Sequence, residues 1–153
     1  ILRELSAKGR KLAVAESCTG GQLSDLLTAV PGSSSAFAGG VIAYTNEVKH
    51  RVLGVPMELL EGDGAPGAVS AETAKKLAEQ VMALCGADYG LSVTGVAGPA
   101  ESEGKPVGLV YIGVAERDGE TTSIELRQSG NRSTIKLRAA KSALNQLWKR
   151  LKS

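Results

Sequence analysis

An apolar run that breaks into small polar residues and two glycines constrains this chain more than any other stretch. Residues 11–15 are predicted to form a short buried strand, and the sequence Ser-Cys-Thr-Gly-Gly follows at 17–21. From Gln22 onward, apolar residues recur at helical spacing until Pro31-Gly32 ends the pattern. Residues 17–21 are therefore predicted to be a strand-to-helix turn, with Thr19 as the N-cap of the helix.

This turn offers anion binding beside a nucleophile. Backbone N–H groups at a helix N-terminus favour a negative charge, and Gly20 and Gly21 let a ligand approach the backbone closely. Ser17 and Cys18 are both nucleophile types, so the turn resembles that of an acyl-transfer enzyme, although Gly-x-Ser-x-Gly itself is absent. An ordinary tight turn built from small residues is the alternative that this stretch alone leaves open.

The order of the other patterns predicts an α/β fold. Helices and strands alternate early in the chain, and a hairpin and a long helix from about Asn131 to Leu151 close it. We therefore expect a single three-layer α/β/α domain with a mixed, mostly parallel sheet, covering residues 1–153. Because the chain begins at Ile1 without a methionine, we expect either a trimmed chain or a module cut from a longer protein.

Composition excludes several classes of function. The chain has only five aromatic residues (one Trp, three Tyr and one Phe), which argues against nucleic-acid-binding modules that stack bases on aromatic side chains. The net charge of +2 is too small to indicate a positively charged surface for nucleic acid or a membrane. No apolar stretch approaches the ~20 residues of a membrane span, and no signal peptide is evident. Two cysteines make no disulfide framework, so a reducing cytoplasm is the expected location.

Ligands of such sheets bind outside the carboxyl ends of parallel strands. Three predicted strand ends are suited to this: residues 17–21, 44–46 and 94–98. The second end leads into a short helix, predicted to be capped by Asn46, which carries the two candidate bases for the nucleophile.

Those two candidates are Lys49 and His50, the only histidine. Adjacent helical residues point about 100° apart, so both cannot face one site. Lys49 lies on the turn nearest the strand end, and a desolvated lysine can act as base for a serine. His50 precedes Arg51 on what reads as a solvated face, so we favour Lys49; an ordinary surface lysine is the alternative.

Other candidates are weaker. Cys18 is a rival nucleophile without an identifiable histidine partner. Arg132, at the start of the last helix, opposes the helix dipole and is a candidate for gripping a phosphate, with plain surface placement as the alternative. No metal-ligand spacing, Gly-x-Gly-x-x-Gly or P-loop is present, so we expect neither a metal nor a nucleotide cofactor.

Four stretches, in this order, resemble one known family. They are Ala15 to Gly21, Tyr44 to Lys49, Gly67 to Ser70, and Val93 to Pro99 followed by Lys105 to Gly108. Together they are similar to the CinA C-terminal domain, the nicotinamide mononucleotide (NMN) deamidase family. The likeness covers nearly the whole chain, including Gly130-x-Arg132 before the last helix.

The resemblance implies hydrolysis of NMN to nicotinic acid mononucleotide and ammonia, in pyridine nucleotide salvage and NAD metabolism, without a metal. It implies Ser17 as nucleophile, Lys49 as general base, and Tyr44 as a group that orients the dyad or the substrate. Backbone N–H groups of the 19–21 turn would stabilise the oxyanion, and residues 94–98 with Arg132 would take the phosphate. The implied substrate-binding residues are Thr19, Gly20, Gly21, Thr45, Asn46, Thr94, Gly95, Ala97, Gly98 and Arg132.

The sequence departs from the family pattern in the loop Ala100 to Gly104, where the family carries Gly-Gly in a slightly longer loop. Glu101 and Glu103 would repel a nearby phosphate unless they point away. This departure motivates the alternative of a non-catalytic nucleotide- or partner-binding module linked to competence or DNA damage. Oligomeric state is left open, with the glycine-rich strand Phe37–Ile42 as a candidate interface of a homo-oligomer.

Overall fold

The chain folds into one sheet with helices on both faces. A computed structural model describes all 153 residues. The strands are β1 (Leu12–Glu16), β2 (Phe37–Ile42), β3 (Tyr89–Gly95), β4 (Leu109–Glu116) and β5 (Thr122–Arg127). The helices are α1 (Leu2–Ala7), α2 (Gln22–Thr28), α3 (Asn46–Leu53), α4 (Met57–Leu60), α5 (Ala71–Leu84) and α6 (Arg132–Lys152), and a 3₁₀ turn (Ser33–Ser35) precedes β2.

The five strands lie in the order β2-β1-β3-β4-β5. Strand β1 pairs in parallel with β2 and β3, whereas β4 pairs antiparallel with β3 and β5. Only β4 therefore opposes the common direction, which confirms the predicted mixed, mostly parallel sheet. Because β2, β1 and β3 are parallel neighbours, their carboxyl ends meet at one edge of the sheet.

Two hydrophobic cores fill the spaces between the sheet and the two layers of helices. Leu12 and Val14 of β1 pack into a core shared with α6, whereas Ala13 and Ala15 pack into a second core shared with α5. Burial on both faces is what a central strand of an α/β protein requires, and it explains why β1 reads as a continuous apolar run. The predicted three-layer α/β/α architecture is confirmed.

Helix α5 lies unusually close to the sheet. A Cβ on Gly90 would lie 1.9 Å from the carbonyl oxygen of Ala78, and one on Gly113 would lie 2.3 Å from that of Ala74. Only glycine permits this approach, which fixes the start of α5 beside the carboxyl ends of the strands. Ser70 caps α5 as a serine in that position is expected to, accepting from the Thr73 N–H at 3.2 Å.

Two predicted helix caps are wrong by a short distance along the chain. Thr45, not Asn46, caps α3, its hydroxyl accepting from the Val48 N–H at 3.2 Å. Helix α2 begins at Gln22 after Gly21, whose φ of 106° needs a glycine, and Thr19 does not cap it. None of the six helices combines the length and hydropathy needed to cross a bilayer.

Candidate active site

The carboxyl ends of β1, β2 and β3 open into a cavity of about 450 Å³. The three strand ends singled out in the sequence all contribute to it. The turn before α5, the loop after β3 and Arg132 of α6 complete its lining. A cavity of this size suits a small-molecule ligand.

Ser17 and Lys49 meet at the bottom of this cavity. The Lys49 Nζ lies 3.0 Å from the Ser17 Oγ, 2.9 Å from the carbonyl oxygen of Ala43 and 3.2 Å from that of Tyr44. A neutral amine fits these contacts well: its two N–H bonds would serve the two carbonyls, leaving the lone pair directed at the Ser17 hydroxyl. The end of β2 thus orients the lysine toward the end of β1.

Burial tunes this lysine toward the neutral form. Lys49 is only 1% exposed, and desolvation lowers its pKa from the usual 10.5 to about 8. The carboxylate of Glu103 opposes this effect, because a nearby negative charge raises the pKa of an ammonium group. A pKa near 8 leaves an appreciable neutral fraction near neutral pH, as a general base requires.

The turn that carries Ser17 is built around Glu16, a residue to which the sequence motifs assigned no role. Its carboxylate is 1% exposed and accepts five hydrogen bonds. They come from the Thr19 hydroxyl at 2.6 Å, the N–H groups of Gly21, Leu23 and Ser24, and the Ser24 hydroxyl. Glu16 therefore takes over the capping of α2 from Thr19. An acidic residue directly before a predicted helix N-terminus was the available signal.

This network changes which donors are free. The Gly20 N–H donates to the Ser17 carbonyl at 3.1 Å, and the Gly21 N–H and the Thr19 hydroxyl donate to Glu16. Gly20 and Gly21 are thus not the open donors that we expected, and neither they nor Thr19 lines the cavity. The N–H groups of Cys18 and Thr19, by contrast, have no acceptor on any other residue.

The rival nucleophile and the rival base are poorly placed. Burial raises the pKa of the Cys18 thiol to about 12, so it stays protonated and weakly nucleophilic. The Nδ1 of His50 lies 2.8 Å from the carbonyl oxygen of Val55, and His50 does not line the cavity. The geometry favours Ser17 and Lys49.

Tyr44 and Arg132 close the outer edge of the cavity. The guanidinium of Arg132 donates to the Tyr44 hydroxyl at 3.1 Å and to the carbonyl of Gly98. The Tyr44 side chain is 56% exposed and contacts the dyad only through its backbone carbonyl. Tyr44 thus orients Lys49 by its main chain, while its phenol supports Arg132.

The other predicted substrate-binding residues divide into two groups. Gly95, Ala97 and Gly98 line the cavity, as do Asn46 and Thr94. The Thr94 hydroxyl, however, is buried and donates to the carbonyl of Ala68 at 2.7 Å, so it serves the protein itself. Thr45 caps α3 and does not line the cavity.

The loop that departs from the family pattern forms the opposite wall. The carboxylate of Glu103 accepts from the N–H groups of Ala68 and Val69 at 2.8 and 3.1 Å and pairs with Lys105 at 3.2 Å. Its charge is therefore largely compensated, and Glu101 does not line the cavity. The anticipated repulsion of an anionic ligand is reduced by this arrangement. No three His, Cys, Asp or Glu side chains group as metal ligands would.

Comparison with known proteins gives a consistent result. The family model of the CinA C-terminal domain matches residues 1–151. A CinA-like protein of Acidobacterium capsulatum is 50% identical over 152 residues, which are 99% of this chain and 36% of that protein. A CinA-like protein of Thermosynechococcus vestitus is 52% identical over 133 residues, 86% of this chain and 31% of that protein. The chain thus spans about a third of the length of these relatives.

Solved structures agree with the fold. The competence damage-inducible protein A of Klebsiella pneumoniae superposes with a TM-score of 0.92 at 35% identity, covering 97% of this chain and 91% of that one. The competence/damage inducible protein CihA of Agrobacterium tumefaciens also gives a TM-score of 0.92, at 36% identity, covering 100% of this chain and 92% of that one.

Proposed function

Because the chain belongs to the CinA C-terminal domain family, we propose that it is an amidohydrolase that converts NMN to nicotinic acid mononucleotide and ammonia. The observation that carries this proposal is the 3.0 Å contact between the Ser17 Oγ and the buried Nζ of Lys49. A serine beside a desolvated lysine is a nucleophile with its general base, and this pairing suits acyl transfer.

The reaction would proceed in two halves. Neutral Lys49 takes the Ser17 proton as the Oγ attacks the carboxamide carbon, giving a tetrahedral oxyanion. The Lys49 ammonium then protonates the leaving nitrogen, which departs as ammonia and leaves the nicotinic acid mononucleotide esterified to Ser17 through its carboxyl group. Lys49, neutral again, deprotonates a water that attacks the ester. As the bond to the Ser17 Oγ breaks, the Lys49 ammonium returns that proton to the Oγ, which releases the product acid, ionised to its carboxylate in water, and regenerates Ser17 and neutral Lys49.

The oxyanion needs donors in place before the reaction. The N–H groups of Cys18 and Thr19, which directly follow the nucleophile, are the two donors of the turn that no other residue accepts from, and of the two residues Cys18 lines the cavity. In this proposal they stabilise the oxyanion, a contribution for which a single donor is typically worth about 3 kcal/mol. They replace the donors of Gly20 and Gly21 that the sequence suggested.

The test is ammonia release from NMN by the wild type and by Ser17→Ala. We expect the variant to lose activity by about 10³-fold or more while its thermal unfolding is unchanged, because the nucleophile is absent and the fold is not. Intact-mass spectrometry of the wild type quenched during turnover should show an adduct of the nicotinic acid mononucleotide acyl group that Ser17→Ala lacks.

Two outcomes would contradict the proposal. Unchanged turnover by Ser17→Ala would remove the serine mechanism. A pure wild type that binds NMN without releasing ammonia would instead identify a nucleotide-binding module, the alternative that the altered 100–104 loop motivates.

A further inference from the structure

Lys136 lies over the turn that carries the nucleophile. Its Nζ is 3.7 Å from the position that a Cβ on Gly20 would take, and no other heavy atom outside the neighbouring residues comes within 4 Å of that position. It is also close enough to act electrostatically on Cys18, the residue next to Ser17. The absence of a side chain at Gly20 leaves the ammonium group beside the bare backbone of the turn.

This ammonium group has no partner in the protein. Lys136 is half-buried, yet no carboxylate lies within ion-pair distance and no carbonyl accepts from it. Other cations of α6 are used differently: Arg138 donates to the Ser129 carbonyl at 2.7 Å, and Arg150 donates to that of Glu120 at 2.8 Å. A partly exposed cation without a counter-charge remains available to an anion.

Arg132 lies four residues, about one helical turn, before Lys136. Residues four apart on a helix lie on the same face, with Cβ atoms about 5–6 Å apart, so both cations are able to reach one anionic group. The Arg132 guanidinium lines the cavity and keeps unused N–H bonds after donating to Gly98 and Tyr44. The two side chains therefore lie on one face of α6, with Arg132 in the lining of the cavity and Lys136 over the adjoining nucleophile turn.

The negative charges nearby are already compensated. Glu16 lies beneath the turn with its five donors, and Glu103, across the cavity, is bonded to two N–H groups and Lys105. An anion at the cavity edge would thus meet Arg132 and Lys136, while the charges of Glu16 and Glu103 are held by their own donors.

We propose that Lys136 and Arg132 together bind the phosphate of the mononucleotide, and that Lys136 determines selectivity for phosphorylated over unphosphorylated substrates. This rests on the proposed function for the identity of the substrate. The amide would reach the dyad at the bottom of the cavity while the phosphate stays at its edge, between the two cations.

The test measures ammonia release by four proteins: the wild type, Lys136→Ala, Lys136→Arg and Lys141→Ala. Each protein is assayed on two substrates, NMN and its dephosphorylated form, nicotinamide riboside. The selectivity ratio is kcat/KM for NMN divided by kcat/KM for nicotinamide riboside. We expect Lys136→Ala to raise the KM for NMN. We expect the same variant to lower the selectivity ratio roughly tenfold, because a hydrogen bond to a charged group is lost. Lys136→Arg should restore the ratio. Lys141, an exposed lysine of the same helix, provides the matched control and should leave the ratio unchanged. An unaltered ratio in Lys136→Ala would overturn the proposal.

A second measurement separates this inference from the proposed reaction. Inorganic phosphate should raise the melting temperature of the wild type and of Lys141→Ala, and raise that of Lys136→Ala markedly less. Equal shifts in all three proteins would refute the phosphate site. A wild type that fails to hydrolyse NMN but shows the expected phosphate shifts would refute the reaction and keep the site.

Discussion

The two walls of the cavity are each organised by one glutamate, and the two glutamates differ in almost every physical respect. The dyad wall comprises Glu16 with the 17–21 turn that it supports, and residues 43–49; the loop wall comprises residues 67–70 and 100–105. Glu16 of the dyad wall is 1% exposed and is bonded only to donors within eight residues along the chain. Glu103 of the loop wall is 26% exposed at its side chain and joins segments 35 residues apart.

This difference in burial and bonding means that the dyad wall is held more rigidly than the loop wall. A buried carboxylate saturated by its own turn holds the nucleophile through local contacts that solvent does not weaken. A partly exposed carboxylate that bridges two loops is screened by water, so the loop wall is held less strongly. We infer that the dyad wall sets the chemistry and the loop wall adjusts the charge around it.

The largest effect is expected from Lys49→Met, which removes the base from the dyad wall. Methionine fills a similar apolar volume but has no lone pair to take the Ser17 proton, so kcat should fall by about 10³-fold or more. Lys49→Arg is the matched control, because it keeps the charge and cannot act as a base at neutral pH. Steady-state ammonia release measures both variants. Substantial activity in Lys49→Arg would show that a positive charge, rather than a base, is what this position supplies.

The next prediction compares the two glutamates directly. In Glu16→Gln, an amide NH₂ replaces an oxygen that accepts buried N–H and O–H donors, so we expect a loss of about 2–4 kcal/mol in the free energy of unfolding. In Glu103→Gln, one partly exposed ion pair is lost and one amide oxygen can still accept, so the loss should be about 1 kcal/mol or less. Chemical denaturation of both variants measures the difference. Equal losses would remove the distinction between the two walls.

The sequence was most informative where function depends on strand ends. The order of the helices and strands follows from their hydrophobic periods, and the final helix was placed within a residue of Arg132–Lys152. The choice of Lys49 over His50 used the direction of successive helical residues, the place of Lys49 near the strand end and the neighbouring Arg51. Both inferences use local geometry, which a sequence carries directly.

What the sequence did not show are contacts between segments. Thr19 was expected to cap α2 because its own side chain is suited to it, yet Glu16 reaches back over the same N–H groups from the end of β1. The partnership of Glu103 with Ala68 depends on how the loop after β3 folds against the start of α5. Lys136 looked like one more polar residue of α6 until the fold placed it over Gly20. Each depends on tertiary packing that no local pattern encodes.

The smallest predicted effect concerns the influence of the loop wall on the pKa of Lys49. The base acts when neutral, so kcat/KM should rise with pH through the Lys49 pKa of about 8 and fall away below it. Glu103 raises that pKa by favouring the ammonium form. Glu103→Gln should therefore move the rising limb to lower pH, by a fraction of a pH unit, because one carboxylate charge is removed across a solvated cavity.

Glu101→Gln is the control for this measurement, since it removes a carboxylate that does not line the cavity. Its pH profile should coincide with that of the wild type, and added salt should narrow the gap between the wild type and Glu103→Gln. A limb that moves to higher pH in Glu103→Gln would mean that the loop wall acts on Lys49 through its burial instead of its charge. The two walls would then be mechanically coupled, and the loop that departs from the family pattern would belong to the catalytic apparatus itself.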